Sequence, residues 1–242
     1  MNSISIVVPA YNEEARLPGT LDCVLAWLGT RQWSFVEVLV VDDGSTDGTV
    51  RAVENYRREH GAVRLLRNPG NRGKGYSVRH GVLEARGDWI LFTDADLSTP
   101  IEETDKLFDA ARKQNASVAF GSRALDRSLI SVHQSFFRET AGRIFNLFAR
   151  ILTGLPFYDT QCGFKLFERQ AAHAIFGRQR LDRFGFDVEV LYIAAGLGLR
   201  AVEVPVLWSH SAGTKVSMFR DSLNMFLDLV RIRCHAIRGR YK

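Results

Sequence analysis

An alternation of short apolar runs with helix-like segments is the strongest constraint on the fold of this chain. The segments between the runs place apolar residues three or four positions apart, as Leu17, Leu21 and Val24 do, and this spacing is typical of helices. Almost wholly apolar strands that alternate with helices predict a mostly parallel sheet with helices on both faces. The apolar runs are ISIVVPA (4–10), VEVLVVDD (36–43), VRLLRN (63–68), WILFTDAD (89–96) and ASVAFGSR (116–123).

Each apolar run ends in a cluster of polar residues. The clusters are YNEE, DDGSTDG, NPGNRGKG, TDADLS and GSR, in chain order. In parallel sheets of this kind, ligands bind at the carboxyl ends of the strands. We therefore predict that the five clusters meet at one edge of the sheet and form one composite site.

Two carboxylates, Asp94 and Asp96, lie two positions apart at the end of the fourth run. Their mutual repulsion would be relieved by a divalent cation, and Mg²⁺ or Mn²⁺ typically uses one or two carboxylates together with substrate phosphates. An isolated Asp-x-Asp is more simply explained as a solvated turn. Its position after a buried strand, beside four other clusters, favours a metal site.

The second and third clusters have the chemistry of a nucleotide site. Asp42 can accept hydrogen bonds from a base N–H or a ribose hydroxyl. The glycine-rich segment 71–81 can bring Arg72 or Lys74 to a diphosphate, although it lacks the GxxxxGK[ST] pattern of a P-loop. A simple turn explains this segment equally well.

Composition limits the class of protein. A chain of 242 residues suits one α/β domain or one domain with a small appendage, and the net charge of +5 is only mildly basic. The three cysteines are far apart and form no CxxC, which argues against a disulfide framework or a thiolate zinc site. We find no signal-peptide pattern and no apolar run of roughly 18 residues, so we expect a soluble or peripheral protein in a reducing, cytosolic compartment.

The last part of the chain has a different pattern. Segment 138–155 predicts a helix with a broad apolar face, and RAVEVPVLW predicts a strand. We divide the chain into a catalytic domain, 1–215, and a basic amphipathic helix, 216–242. Such a helix packs on the core or lies on an anionic membrane surface. Its C-terminal half contributes the basic residues Arg231, Arg233, Arg238, Arg240 and Lys242.

Taken together, VVPAYNEE, VVDDGSTDGT, NRGKGYSVRHG and FTDADLSTP closely resemble the inverting glycosyltransferases of family 2. That resemblance implies the GT-A fold, a Rossmann-like, mostly parallel α/β sheet flanked by helices. In the second half, DTQCGFKLF and RFGFDVEVLYIA resemble the branch that uses polyprenyl phosphates, which includes the dolichyl-phosphate β-glucosyltransferases and bacterial relatives.

The resemblance also implies a role for each polar cluster, and Asp96, Asp187 and Arg123 are the residues it implies for catalysis. Asp187 lies where many members of the family place their base. Asp94 and Asp96 are implied as the metal residues. The other implied sets are Pro9, Ala10, Tyr11, Glu13, Asp42, Lys74, Asp94, Ala95 and Asp96 for the nucleotide sugar, Arg123 and Arg138 for the acceptor phosphate, and Asp159 and Gln161 for the sugar.

The implied activity is metal-dependent, inverting transfer of a hexose, expected to be glucose, from a UDP-sugar to a polyprenyl phosphate at the cytoplasmic face of a membrane. We expect a nucleotide sugar, a polyprenyl phosphate and a membrane surface as partners, and no nucleic acid. Three alternatives stay open: mannosyl transfer from GDP-mannose, transfer to a saccharide hydroxyl with Asp187 as base, and a sugar-nucleotide-binding regulator without turnover.

Overall fold

The computed structural model describes residues 3–132, 136–210 and 218–242, and it describes side chains for all of these except 136–138 and 218–222. The strands are β1 (Ile4–Ala10), β2 (Val36–Asp42), β3 (Val63–Arg67), β4 (Trp89–Thr93), β5 (Val118–Ser122), β6 (Ile130–Val132), β7 (Phe164–Glu168), β8 (Ala201–Pro205) and β9 (Trp208–Ser209). The α-helices are α1 (Leu17–Gly29), α2 (Thr49–Glu59), α3 (Lys74–Glu84), α4 (Thr104–Gln114), α5 (Phe136–Thr153), α6 (Arg169–Phe176), α7 (Phe186–Gly196) and α8 (Met218–Ile237).

A sheet with the strand order β3-β2-β1-β4-β7-β5-β8 forms the centre of the described structure. Neighbouring strands pair in parallel except around β7, which is antiparallel to both β4 and β5. The predicted fold class, a mostly parallel sheet flanked by helices, is confirmed. The segment 164–176 forms β7 followed directly by α6, and β7 is inserted between β4 and β5.

The central strands are mainly apolar because both faces of the sheet are covered. Ile6 and Val8 of β1 point into a core that includes residues of α1 and α4, whereas Val7 points into a core that includes residues of α3, α6 and α7. Consecutive residues of a strand face opposite sides, so a strand between two helical layers favours apolar residues on both of its faces. This explains why the runs in the sequence are continuous and do not alternate.

Helix α8 packs against α5 through aromatic rings. The ring of Phe226 lies 5.5 Å from that of Phe145 and 5.4 Å from that of Phe148. Leu229 and Ile232 are buried in the same contact region. In the described part of the chain, no helix combines the length and the apolar character that crossing a membrane requires.

Helix α3 packs closely on the sheet at Gly81, where there is no room for a side chain. A methyl group at this position would overlap Cγ1 of Val7 and lie 2.9 Å from Cγ2 of Val41. The close approach of α3 to β1 and β2 places the start of the helix, with Lys74, at the carboxyl edge of the sheet.

We expect Gly81→Ala to lower the free energy of unfolding by about 1–3 kcal/mol, because the added methyl group overpacks the interface. Gly19→Ala in α1 is the matched control, since nothing lies within 4 Å of a methyl group there. The control should be neutral or stabilise the protein by up to about 1 kcal/mol. Urea unfolding measures both variants, and equal stabilities would contradict the packing argument.

Candidate active site

The polar clusters that follow β1 to β5 lie along one edge of the sheet. Strands β1 to β4 are parallel, and β5 shares their direction because β7 is antiparallel to both β4 and β5. The carboxyl ends of all five strands therefore point the same way. The topology gives the predicted clusters a common edge, where they form the candidate active site.

Hydrogen bonds from a backbone N–H of one cluster to a side chain of the other connect the first two clusters. The backbone N–H of Asn12 donates to Oγ of Ser45 over 2.9 Å, and the N–H of Thr46 donates to Oδ1 of Asn12 over 2.8 Å. Asn12 has a φ of 54°, a left-handed conformation that asparagine tolerates better than most residues. The loops after β1 and β2 thus form one unit.

The residues implied for the nucleotide pocket after β1 lie at this unit. Pro9 and Ala10 form the end of β1, and Ala10 is buried. Tyr11 is exposed at the start of the loop. Glu13 is ion-paired with Arg16 over 2.7 Å. The structure therefore brings these residues together beside the loop after β2.

Asp43 holds the glycine-rich loop in place. Its carboxylate accepts hydrogen bonds from the Asn68 side chain over 2.8 Å, from Arg72 N over 2.9 Å and from Gly73 N over 2.8 Å. Since all three donors belong to the segment between β3 and α3, Asp43 fixes the position from which Lys74 enters the site.

Asp42 differs from its neighbour because one of its oxygens lacks a hydrogen-bond partner in the described structure. Oδ1 accepts from Ser45 N over 3.1 Å, but Oδ2 is buried without a hydrogen bond, and the nearest cation, Nε of Arg67, is 3.9 Å away. An unsatisfied buried acceptor costs about 1–3 kcal/mol, so it favours a ligand that can donate a hydrogen bond.

Asp94 is bound by Lys74 and packed against a glycine. Nζ of Lys74 lies 2.7 Å from Oδ1 of Asp94. A side chain at Gly163 would overlap the Asp94 carboxylate, which explains why a glycine is needed there. Burial disfavours the Lys74 ammonium, but the charges of Asp94 and Asp187 outweigh it, and the pKa of Lys74 is raised.

The environment of Asp96 differs from that of Asp94. Oδ1 of Asp96 accepts a hydrogen bond from Ser98 N over 3.0 Å. Within the described ranges, no group of three or more His, Cys, Asp or Glu residues could hold a metal ion. Asp94 and Asp96 thus supply two carboxylates at most. Magnesium-type sites commonly complete such a pair with substrate phosphates and water. The donor set therefore fits a cation that arrives with a diphosphate, and it does not fit a permanent protein cage.

Asp187, the implied base, forms a buried ion pair with Lys165. Lys165 lies on β7 with 0% of its surface exposed, and its Nζ donates to the Cys162 carbonyl over 2.6 Å and to Oδ1 of Asp187. Burial raises the pKa of Asp187, while Lys165 and Lys74 act in the opposite direction. Lys165 was not predicted from the sequence. The feature that could have identified it as a buried, paired residue is a lysine within the otherwise apolar run FKLF.

Arg123 and Asp159, which the resemblance implies for two different substrates, bind each other. Nε and Nη2 of Arg123 lie 2.7 and 2.9 Å from the two carboxylate oxygens of Asp159, and the Arg123 N–H adds a bond of 3.0 Å. Asp159 is 1% exposed. Burial alone would raise its pKa, but the guanidinium group lowers the pKa to about 2.

Gln161, also implied for the sugar, lies next to this pair. Its backbone N–H donates to Oδ1 of Asp159 over 3.2 Å, and its side-chain Nε2 is buried without a hydrogen-bond partner among the described residues. An amide donor of this kind can bind a hydroxyl group. The side chain of Arg138, implied for the acceptor phosphate, lies outside the described residues.

A GT-A sheet with an Asp-x-Asp pair and a basic loop at its carboxyl edge defines a class, the glycosyltransferases. Residues 5–176 match the family model described as Glycosyl transferase family 2. The chain belongs to this family, as its sequence motifs had indicated, and it is an enzyme of the glycosyltransferase class.

Relatives similar over nearly the whole chain carry one common name. The chain is 42% identical to dolichyl-phosphate beta-glucosyltransferase of Drosophila melanogaster, over 99% of this chain and 77% of the relative. It is 38% identical to the protein of the same name from Homo sapiens, over 99% of this chain and 77% of the relative.

Solved structures with the same fold are more distant in sequence. Glucosyl-3-phosphoglycerate synthase from Mycobacterium tuberculosis, in complex with Mn²⁺, UDP-glucose and phosphoglyceric acid, has a TM-score of 0.69 and 18% identity, over 96% of this chain and 79% of that one. Mannosyl-3-phosphoglycerate synthase from Rubrobacter xylanophilus has a TM-score of 0.63 and 21% identity, over 98% of this chain and 74% of that one. At these identities the similarity shows the fold alone.

We expect Asp159→Asn to lower the free energy of unfolding at pH 7 by about 3 kcal/mol, because it leaves Arg123 without its buried partner. The folded-state pKa of Asp159, about 2, is below its ordinary value of 3.8. The stabilisation is therefore fully present above about pH 4 and is lost as the pH falls through about 2. Urea unfolding at a series of pH values measures this difference.

The matched control is Asp105→Asn, since Asp105 forms an exposed ion pair with Arg31. It should change the stability by no more than about 1 kcal/mol. A difference between wild type and Asp159→Asn that stays constant from pH 7 to pH 2 would show that the charge of Asp159 does not stabilise the fold.

Proposed function

We propose that the chain transfers glucose from UDP-glucose to the phosphate of a polyprenyl phosphate, with inversion at the sugar. The observation that carries the proposal is the 42% identity, over 99% of the chain, to an enzyme named dolichyl-phosphate beta-glucosyltransferase. The geometry of the site also supports each part of this proposal: the base of the donor, the cation, the acceptor phosphate and the lipid.

Asp42 is suited to the base of the donor. Its buried Oδ2 has no hydrogen-bond partner among the described residues, and the ring N–H of uracil can supply one. Adenine, guanine and cytosine also carry N–H donors, so Asp42 supports a nucleotide base without selecting which one. The similarity to glucosyltransferases favours uridine.

The charges around the diphosphate position favour a divalent cation. Lys74 and Lys165 face the carboxylates of Asp94, Asp96 and Asp187, which leaves this cluster negative. Asp94 and Asp96 would hold Mg²⁺ or Mn²⁺ together with the donor. When bound, the cation supplies charge neutralisation for the departing diphosphate.

A phosphate acceptor agrees with the surroundings of Asp187. A saccharide hydroxyl would need a base to remove its proton, but the Asp187 carboxylate is enclosed and already bound by Lys165. A phosphate is ionised at neutral pH and needs little help from a base. We assign Asp187 to positioning Lys165. We assign Arg123 to the acceptor phosphate, because among the described residues its bonds to Asp159 use Nε and Nη2 and leave Nη1 for a ligand.

A donor screen with the full chain and a polyprenyl phosphate tests this function. We expect label from UDP-glucose in the lipid extract, loss of transfer in EDTA, and recovery with Mg²⁺ or Mn²⁺. Asp96→Asn should reduce transfer by at least about a hundredfold, because it removes a charge that holds the cation. Label from GDP-mannose alone would assign a mannosyltransferase, and label in a polymer would assign a saccharide acceptor.

An exposed apolar surface gives this enzyme a way to reach its lipid. We call it the apolar helix face; its members are Ile144, Leu147, Phe148 and Ile151 of α5 and Leu223, Leu227 and Val230 of α8, all exposed. Exposed basic residues follow on α8 and after it, Arg231, Arg238 and Lys242 among them. We propose that this face docks on the cytoplasmic, anionic surface of a membrane, because basic groups beside an apolar face favour such a surface.

We expect the double variant Leu147→Gln/Ile151→Gln to bind anionic vesicles about tenfold more weakly, because two apolar side chains no longer enter the lipid. Leu83→Gln/Phe35→Gln is the matched control, since both residues are exposed elsewhere. Co-sedimentation with vesicles of increasing anionic content measures binding, which added salt should weaken. Equal binding of the two double variants would exclude this face as the docking surface.

A further inference from the structure

A cavity of about 280 Å³ lies beside Arg123, on the side of the residue that faces α5. The 3₁₀ turn Arg127–Leu129, α5 and Trp208 of β9 contribute to its lining. Arg123 also interacts electrostatically with Asp187, so the cavity that Arg123 lines lies near the carboxylate cluster of the candidate active site. The cavity volume is close to the lower end of small-molecule sites, about 300 Å³.

Three arginines line the cavity, and the one nearest the active site is already neutralised. The carboxylate of Asp159 pairs with both Nε and Nη2 of Arg123, which removes most of its net charge. A phosphate monoester carries up to two negative charges, so binding it here requires further cations. Arg127 and Arg143 line the same cavity and supply them.

Glu139 brings these two arginines together. Nη2 of Arg127 lies 2.6 Å from Oε2 of Glu139, and Nη2 of Arg143 lies 3.5 Å from the same oxygen. Glu139 is the least exposed of the three side chains, at 18%. Two guanidinium groups repel each other unless an anion lies between them. Each guanidinium has five N–H donors, so both keep donors for a second anion.

Along one side of α5, charged residues are followed by apolar residues. Glu139, Arg143, Leu147 and Ile151 follow one another at four-residue intervals, which places them on one side of α5. Leu147 is 54% exposed and Ile151 is 68% exposed. The distance along the helix from Arg143 to Ile151 is about 12 Å. A molecule with a phosphate head and an apolar tail matches this sequence of side chains.

We infer that Arg127 and Arg143, held together by Glu139, bind the acceptor phosphate in this cavity, with the first isoprenoid units over Leu147 and Ile151. This inference rests on the proposed function and adds two specificity-determining residues and one positioning residue to it. Arg127 and Arg143 admit acceptors that end in a phosphate, and Arg123 contacts the same phosphate from the side of the active site.

Steady-state kinetics with saturating UDP-glucose and a short, water-soluble isoprenyl phosphate such as geranyl phosphate test the inference without a membrane. Arg127→Gln and Arg143→Gln should each raise the acceptor KM about tenfold, because each loses a charged hydrogen bond to the phosphate. The KM for UDP-glucose should stay unchanged. Arg150→Gln is the matched control, since it removes the same charge from α5 outside the cavity and should leave both KM values unchanged.

Inorganic phosphate provides a second measurement. It should inhibit wild type competitively against the acceptor, and its inhibition constant should rise about tenfold in Arg127→Gln and Arg143→Gln. Glu139→Gln should raise the acceptor KM with little change in kcat, since the arginines separate when the charge between them is removed. A lower acceptor KM in Glu139→Gln would mean that Glu139 competes with the phosphate and does not position the arginines.

The outcomes separate this inference from the proposed function. If wild type makes no lipid-linked glucose, the proposed function fails. If wild type is active and both arginine variants keep the acceptor KM and the phosphate inhibition constant of wild type, only the assignment of the cavity fails. Thermal unfolding of each variant identifies any loss of activity that comes from a loss of fold.

Discussion

The ion pair between Lys165 and Asp187 is the interaction on which the geometry of the site depends. An ammonium group with no exposed surface is very unfavourable unless it is paired and hydrogen-bonded, and Lys165 is both. The pair connects β7 with the first turn of α7, and the bond from Lys165 to the Cys162 carbonyl fixes the chain just before Gly163. Because Gly163 packs on Asp94, the position of a carboxylate that we propose for the metal depends on the segment just before β7.

The acidic residues at the edge of the sheet differ in how many protein hydrogen bonds they accept. Asp43 and Asp159 are saturated with protein donors, and so they fix the glycine-rich loop and Arg123. Asp42 and Asp96 bind fewer protein donors. A carboxylate whose oxygens already accept protein hydrogen bonds gains little by binding a substrate. A carboxylate with a buried oxygen that lacks a hydrogen bond is stabilised when a ligand donates one. The hydrogen bonds therefore distinguish Asp42 from Asp43, although the two residues look equivalent in the sequence.

Much of the fold and of the site could be predicted because their signals are local. Continuous apolar runs marked β1 to β5, and the direction of parallel strands then gave the polar clusters a common edge. The insertion of β7 could not be predicted, since nothing within FKLFE specifies which strands it joins. For the same reason the sequence did not predict that Arg123 binds Asp159, 36 residues away, or that Lys165 binds Asp187. The motifs gave candidate site residues but not which of them bind each other.

The insertion of β7 between β4 and β5 has a consequence for the synthesis of the chain. Strands β1 to β4 can assemble as soon as they leave the ribosome, but the outer edge of β4 stays open until β7 (Phe164–Glu168) has emerged. During that interval the nascent chain exposes one unpaired edge of an apolar strand, which is a template for pairing with another chain. Translation across the segment between β4 and β7 is thus a period in which this edge is open to aggregation.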